Sequence, residues 1–142
     1  MSERTIVVGV DGSEPAACAL RWAVKQAALT GSTVRAVGAW EFPAFYSWEG
    51  GPMPPDDFED AARKALDDTV EQIQGEADLP PVPIERLLVH GHAAQALLDA
   101  SEQAELLVVG SRGHGSFYGA LLGSVSQRCA VHAKCPVVIV RH

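Results

Sequence analysis

The residues best suited to chemistry in this chain lie between Gly110 and Ser124, which reads Gly-Ser-Arg-Gly-His-Gly-Ser-Phe-Tyr-Gly-Ala-Leu-Leu-Gly-Ser. Five of these 15 residues are glycine, and glycine lets backbone N–H groups turn toward a phosphate at angles other residues resist. Gly123-Ser124 then opens a helix pattern, whose unpaired N–H groups and positive dipole end favour an anion. The dipole contributes only about 0.3–2 kcal/mol, so hydrogen bonds from the loop must supply most of the grip. A second unusual loop, Asp11-Gly12-Ser13, places a carboxylate after the first apolar run. A carboxylate there suits ribose hydroxyls or Mg²⁺ and disfavours direct contact with phosphate.

Two common phosphate motifs are absent. A Walker A loop needs Lys before its final Ser/Thr, and Gly123 stands there instead. The dinucleotide fingerprint G-x-G-x-x-G also fails, because Gly113, Gly115 and Gly119 carry one spacer too many. Taken alone, the loop is equally a phosphate cradle or a tight strand-to-helix turn. The five histidines, His90, His92, His114, His132 and His142, are dispersed and form no ligand set, so no histidine metal site is expected. His114 could assist an anion or simply be solvated.

These loops need a frame. Apolar runs Thr5–Val10, Thr33–Ala39, Ile84–His90, Glu105–Val109 and Pro136–Arg141 read as five strands. Between them lie helix patterns. The first starts at Ser13 as N-cap, carries Leu20, Val24, Ala27 and Ala28 inward, and stops at Gly31. The second is capped by Asp56 and turns Phe58, Ala62, Leu66, Val70 and Ile73 to one face. The third spans Ala93–Gln103 and the fourth Ser124 to about His132. Alternation of this kind predicts a single α/β domain over residues 1–142, with a doubly wound five-stranded parallel sheet in order 3-2-1-4-5. The switch point then falls between the first and fourth strands, where Asp11-Gly12-Ser13 and Gly110-Ser111-Arg112-Gly113 emerge. The 16 residues from Trp40 to Pro55, with Phe42, Phe45, Tyr46 and Trp48, form a long loop. It reads as cover for a pocket or subunit interface, or as a flap on its own domain.

The length of 142 residues suits one domain with a well-buried core. A net charge of −7 argues against a nucleic-acid binder, but the charge is graded: −11 over residues 1–105 and +4 over 106–142, which contain no Asp or Glu. Nine acidic residues from Asp56 to Asp78 read as a solvated helix face. Three cysteines, Cys18, Cys129 and Cys135, make no disulfide framework and no CxxC zinc pair. No run is long and apolar enough to cross a membrane, and no signal or lipidation motif is present; a cytoplasmic protein is expected.

The spacing Gly110-x2-Gly113-x9-Gly123-Ser124 resembles the ATP-binding branch of the universal stress protein family. The resemblance covers nearly the whole chain, through Asp11-Gly-Ser, the Gly-His-Ala-Ala start of the third helix and the closing Cys135-Pro136-Val137-Val138-Ile139-Val140. It implies a Rossmann-like, adenine nucleotide alpha hydrolase-like fold and a bound ATP, with Mg²⁺ accompanying the nucleotide. Carried over by position, Gly110, Arg112, Gly113, Gly123, Ser124, Val125 and Ser126 would hold triphosphate and ribose. Asp11 would contact the nucleoside end or help place a metal, Ser13 would join the ATP-binding set, and the backbone of Ala39 would meet the adenine edge. The resemblance further implies a stress or growth-arrest role and a homodimer through Pro136–Arg141. An apolar edge strand by itself also calls for pairing or for cover by the Trp40–Pro55 flap.

Phosphoryl transfer needs metal ligands, a placed nucleophile and charge neutralisation, and these motifs offer Asp11 as their only acid. A regulatory ATP-binding module is therefore expected, with slow ATP hydrolysis left open. The alternatives are a slow ATPase or nucleotidyl-transfer enzyme, and an interaction module whose loop is purely structural.

Overall fold

Buried on both faces, the run Thr5–Gly9 forms β1, the central strand of the sheet. The computed structural model describes residues 4–41, 55–112 and 122–141. Around β1 stand β2 (Thr33–Trp40), β3 (Ile84–His90), β4 (Leu106–Gly110) and β5 (Val137–Val140). All neighbours are parallel, in the order β3-β2-β1-β4-β5. Val8 is flanked by Ala36 on one side and Val108 on the other. The expected order and strand number hold.

The helices are α1 (Glu14–Thr30), α2 (Pro55–Gln74), α3 (Ala93–Ala100) and α4 (Ser124–His132). Because side chains alternate along a strand, each face of the sheet has its own core. Ile6 and Val8 pack with Leu20 and Val24 of α1 and with Leu66, Val70 and Ile73 of α2. Val7, Val37, Leu107 and Val109 pack on the other face with Leu97 of α3 and Cys129 of α4. The crossover direction reverses at β1/β4, and right-handed connections then force α1 and α2 to one face and α3 and α4 to the other.

Local signals set the helix ends. Ser13 caps α1, its Oγ accepting from Ala16 N at 3.3 Å. Gly31 ends it, its N–H returning to Ala27 O at 2.8 Å. Three helix readings differ from expectation. Ala28 is exposed, as is Leu29 beyond it, while Ala27 in the same turn is buried in the core. Asp56 lies inside the first turn of α2 rather than at its cap. α3 stops at Ala100, where Ser101 N turns back to Leu97 O at 3.0 Å and residues 101–103 form a turn. Most of the Trp40–Pro55 loop falls outside the described residues.

Candidate functional site

Three helices begin near the carboxyl ends of the strands, and each start is built differently. At β1, the chain turns through Gly12 at φ 85°, a left-handed angle that glycine adopts without strain. This turn folds Asp11 back, so that its Oδ1 accepts from Ser13 N at 3.0 Å and from the Ser13 hydroxyl. The carboxylate is thereby held at the start of α1, while remaining exposed.

At β3, His92 is the N-cap of α3 and its Nδ1 accepts from Ala94 N at 3.2 Å. That geometry requires Nδ1 to be the unprotonated ring nitrogen. Next to it, His90 stacks on Trp40 of β2, with ring centroids 4.1 Å apart and planes at 12°. Gly91 N donates to Trp40 O at 2.8 Å, which extends β2 one residue beyond its expected end.

At β4, Gly110 passes so close to α1 that a Cβ there would lie 2.8 Å from Pro15 O and 2.9 Å from Pro15 C. The chain continues through Ser111, whose N–H donates to Val140 O of β5 at 2.9 Å. After the undescribed residues it returns at Leu122 and Gly123, and Gly123 N donates to Ser111 O at 2.8 Å. Gly123 is the N-cap of α4 and supplies no side-chain capping bond. The first intrahelical bond runs from Gln127 N to Gly123 O, so the amides of Ser124, Val125 and Ser126 lie ahead of the helix ladder. A glycine N-cap gives up only about a few tenths of a kcal/mol relative to a side-chain cap, so α4 leaves these amides open at little cost.

These three starts enclose a cavity of about 190 Å³ at the β1/β4 switch point. Of the residues expected from sequence, Asp11, Ala39, Gly110, Arg112, Gly123, Ser124, Val125 and Ser126 line it. Ser13 does not; its hydroxyl is engaged with Asp11 and Ala16 N. Gly113 lies outside the described residues. Seven further residues complete the lining: Gly9, Val10, Ala16, Val37, Ala93, Leu97 and Val109. These residues are small or apolar and make an apolar wall in the same cavity as the start of α4. The Gly-His-Ala-Ala sequence marks Ala93, but nothing local marks Val37 or Leu97, which reach the cavity through tertiary packing.

The charge distribution suits an anion at one end. Asp11 is the single carboxylate among the described lining residues, and Arg112 is the cation. Among the described residues, no cluster of three metal-ligating side chains occurs. Burial pushes the Cys129 thiol up to about 11 and also raises that of Cys135, which marks both as packed thiols rather than nucleophiles. No helix among the described residues is long and apolar enough to cross a membrane.

Comparison with known proteins places this geometry in context. The family model described as the universal stress protein family matches residues 3–141. A universal stress protein of Mycobacterium tuberculosis is 40% identical over 141 residues, covering 95% of this chain and 46% of the relative. The chain thus spans about half the length of the mycobacterial relatives it matches. A universal stress protein of Thermus aquaticus is 37% identical over 142 residues and is covered almost end to end, at 97% of this chain and 98% of the relative. Among solved structures, a universal stress protein in complex with cAMP has a TM-score of 0.69 at 28% identity, covering 99% of this chain and 98% of its own. The universal stress protein of Archaeoglobus fulgidus in complex with dAMP has a TM-score of 0.71 at 26% identity, covering 98% of each chain.

Proposed function

We propose, from the premise that the chain belongs to the universal stress protein family, that it is a regulatory module that binds ATP in the β1/β4 cavity. One observation carries this reading: an apolar wall and an uncapped helix start with Arg112 beside it face one cavity at the switch point of the sheet. The wall suits a purine and the helix start suits phosphate. The cAMP and dAMP complexes of similar proteins support an adenine nucleotide as the ligand class.

In this reading the backbone of Ala39 meets the adenine edge and Asp11, oriented by Ser13, takes the ribose. Gly110, Arg112, Gly113, Gly123, Ser124, Val125 and Ser126 surround the phosphates. The donor set fits phosphate well and a protein-held metal poorly. Mg²⁺ prefers oxygen ligands and keeps several waters, so it would come with the triphosphate, and Asp11 is the one carboxylate available to it. A single acid and no lysine in the described lining support a reading in which the site holds a nucleotide without turning it over. A cytoplasmic location and a homodimer through β5 belong to the same proposal. The three cysteines are free thiols, as a reducing compartment would keep them.

The test is the nucleotide itself. Denaturing the purified protein and analysing the released small molecules by mass spectrometry should yield ATP, and Gly123→Val should abolish its retention. No adenine nucleotide from the native protein, and no binding of added ATP, would remove the reading. Normal retention by a folded Gly123→Val protein would move the site elsewhere. A single-turnover assay should return the bound ATP unchanged over hours; prompt release of ADP would instead establish an ATPase.

A further inference from the structure

Resting on that reading, we infer that Ser126 is a positioning residue whose hydroxyl aims two backbone amides at the phosphate end of the cavity, rather than a ligand contact through its side chain. The side chain is buried, at 2% exposure. Its Oγ lies 3.0 Å from Gly123 O and 3.2 Å from Ser111 O, so its one proton is shared between the two carbonyls. An N-cap hydroxyl serves by accepting from amides, whereas a serine further into the helix bonds back to a preceding carbonyl. This one faces the carbonyls, and so leaves the amides of its own turn to a ligand.

The effect follows from the planarity of the peptide bond. In a trans peptide the C=O of one residue and the N–H of the next point in opposite directions. Gly123 O shares a plane with Ser124 N, and Ser111 O shares one with Arg112 N. A proton shared between the two carbonyls steadies both peptide planes, and with them the opposite direction of both amides, and Arg112 and Ser124 both line the cavity. Gly123 N adds a third hold on the same Ser111 carbonyl at 2.8 Å. Ser111 N, bonded to Val140 O, anchors the assembly to β5. The side chain at position 126 thus acts on two donors that come from opposite sides of the glycine-rich segment in the sequence.

Calorimetric titration of ATP and of adenosine into the native protein, Ser126→Ala and Ser126→Thr separates this role from a general structural one. Ser126→Ala should bind ATP about tenfold more weakly, with adenosine affinity unchanged, because only the phosphate end loses its donors. Ser126→Thr keeps the hydroxyl and should restore ATP affinity. Equal weakening of both ligands, or unchanged ATP binding in a folded Ser126→Ala, would overturn the inference. Native protein that binds neither ligand would remove the underlying reading and this one with it, an outcome distinct from native binding that the alanine variant leaves intact.

Discussion

At the scale of single residues, glycine positions carry the strictest demands, for a reason of space. Gly110 has Pro15 backbone atoms where a Cβ would go, at 2.8 and 2.9 Å, so any side chain must push β4 and α1 apart. Gly110→Ala should lower unfolding stability by about 1–3 kcal/mol, read as a shift in the urea midpoint. Gly9→Ala should cost less, since its Cβ would meet the tip of Leu97, 2.8 Å away, and that side chain can rotate. The sequence reveals such positions only in part. Asp11, Gly110 and Gly123 stand out by residue type and spacing. Ser126 is recognisable as part of the motif, but its two carbonyl partners depend on how β4 and α4 meet. Ser13 reads as a helix cap from its type and position, and its hydroxyl caps α1.

At the scale of elements, side-chain pairs join segments that the sheet alone would leave loosely connected. Arg21 of α1 grips Glu76, just beyond α2, with Nε 2.8 Å from Oε1 and Nη2 2.7 Å from Oε2. The hydrogen bonds from Arg21 hold the Glu76 carboxyl below its ordinary value of 4.5. A carboxylate shifted down in the folded state stabilises it above the ordinary value and loses that contribution as pH falls through the folded one. Native protein and Glu76→Gln should therefore differ by a constant stability margin between about pH 6 and 8. That margin should shrink below pH 4.5, as followed by denaturant midpoints. A margin that grows on acidification would contradict the assigned pair. Element boundaries were legible where a residue changes the backbone outright, as Gly31 does. They were less so at Ala28 or residues 101–103, where helical propensity continues but core contact ends. β2 reaches Trp40 for a similarly non-local reason, its pairing and stacking with His90.

At the scale of the molecule, the order of strands was readable because alternating runs and right-handed crossovers leave few arrangements. The two sheet edges that result are unlike. β3 exposes Glu85, Arg86 and Leu87, and its charges are paired: Arg35 with Glu85 at 3.1 Å, and Arg86 with Asp67 at 2.8 Å. β5 reads Val-Val-Ile-Val, with every residue half-buried. Charges on an edge deter strand addition, and an apolar edge invites it. Light scattering of purified protein at micromolar concentration should give twice the chain mass of 15.1 kDa. A monomer under those conditions would require some other cover for β5. The contrast between the edges also sets the valence of the molecule. A sheet that accepts strands at both margins is a bifunctional unit and can propagate into a fibre. Among the described residues this sheet has a single apolar margin, so a partner that paired there would consume its whole capacity for sheet growth. Association by this route would be self-terminating, and added concentration would fill the margin without lengthening the product.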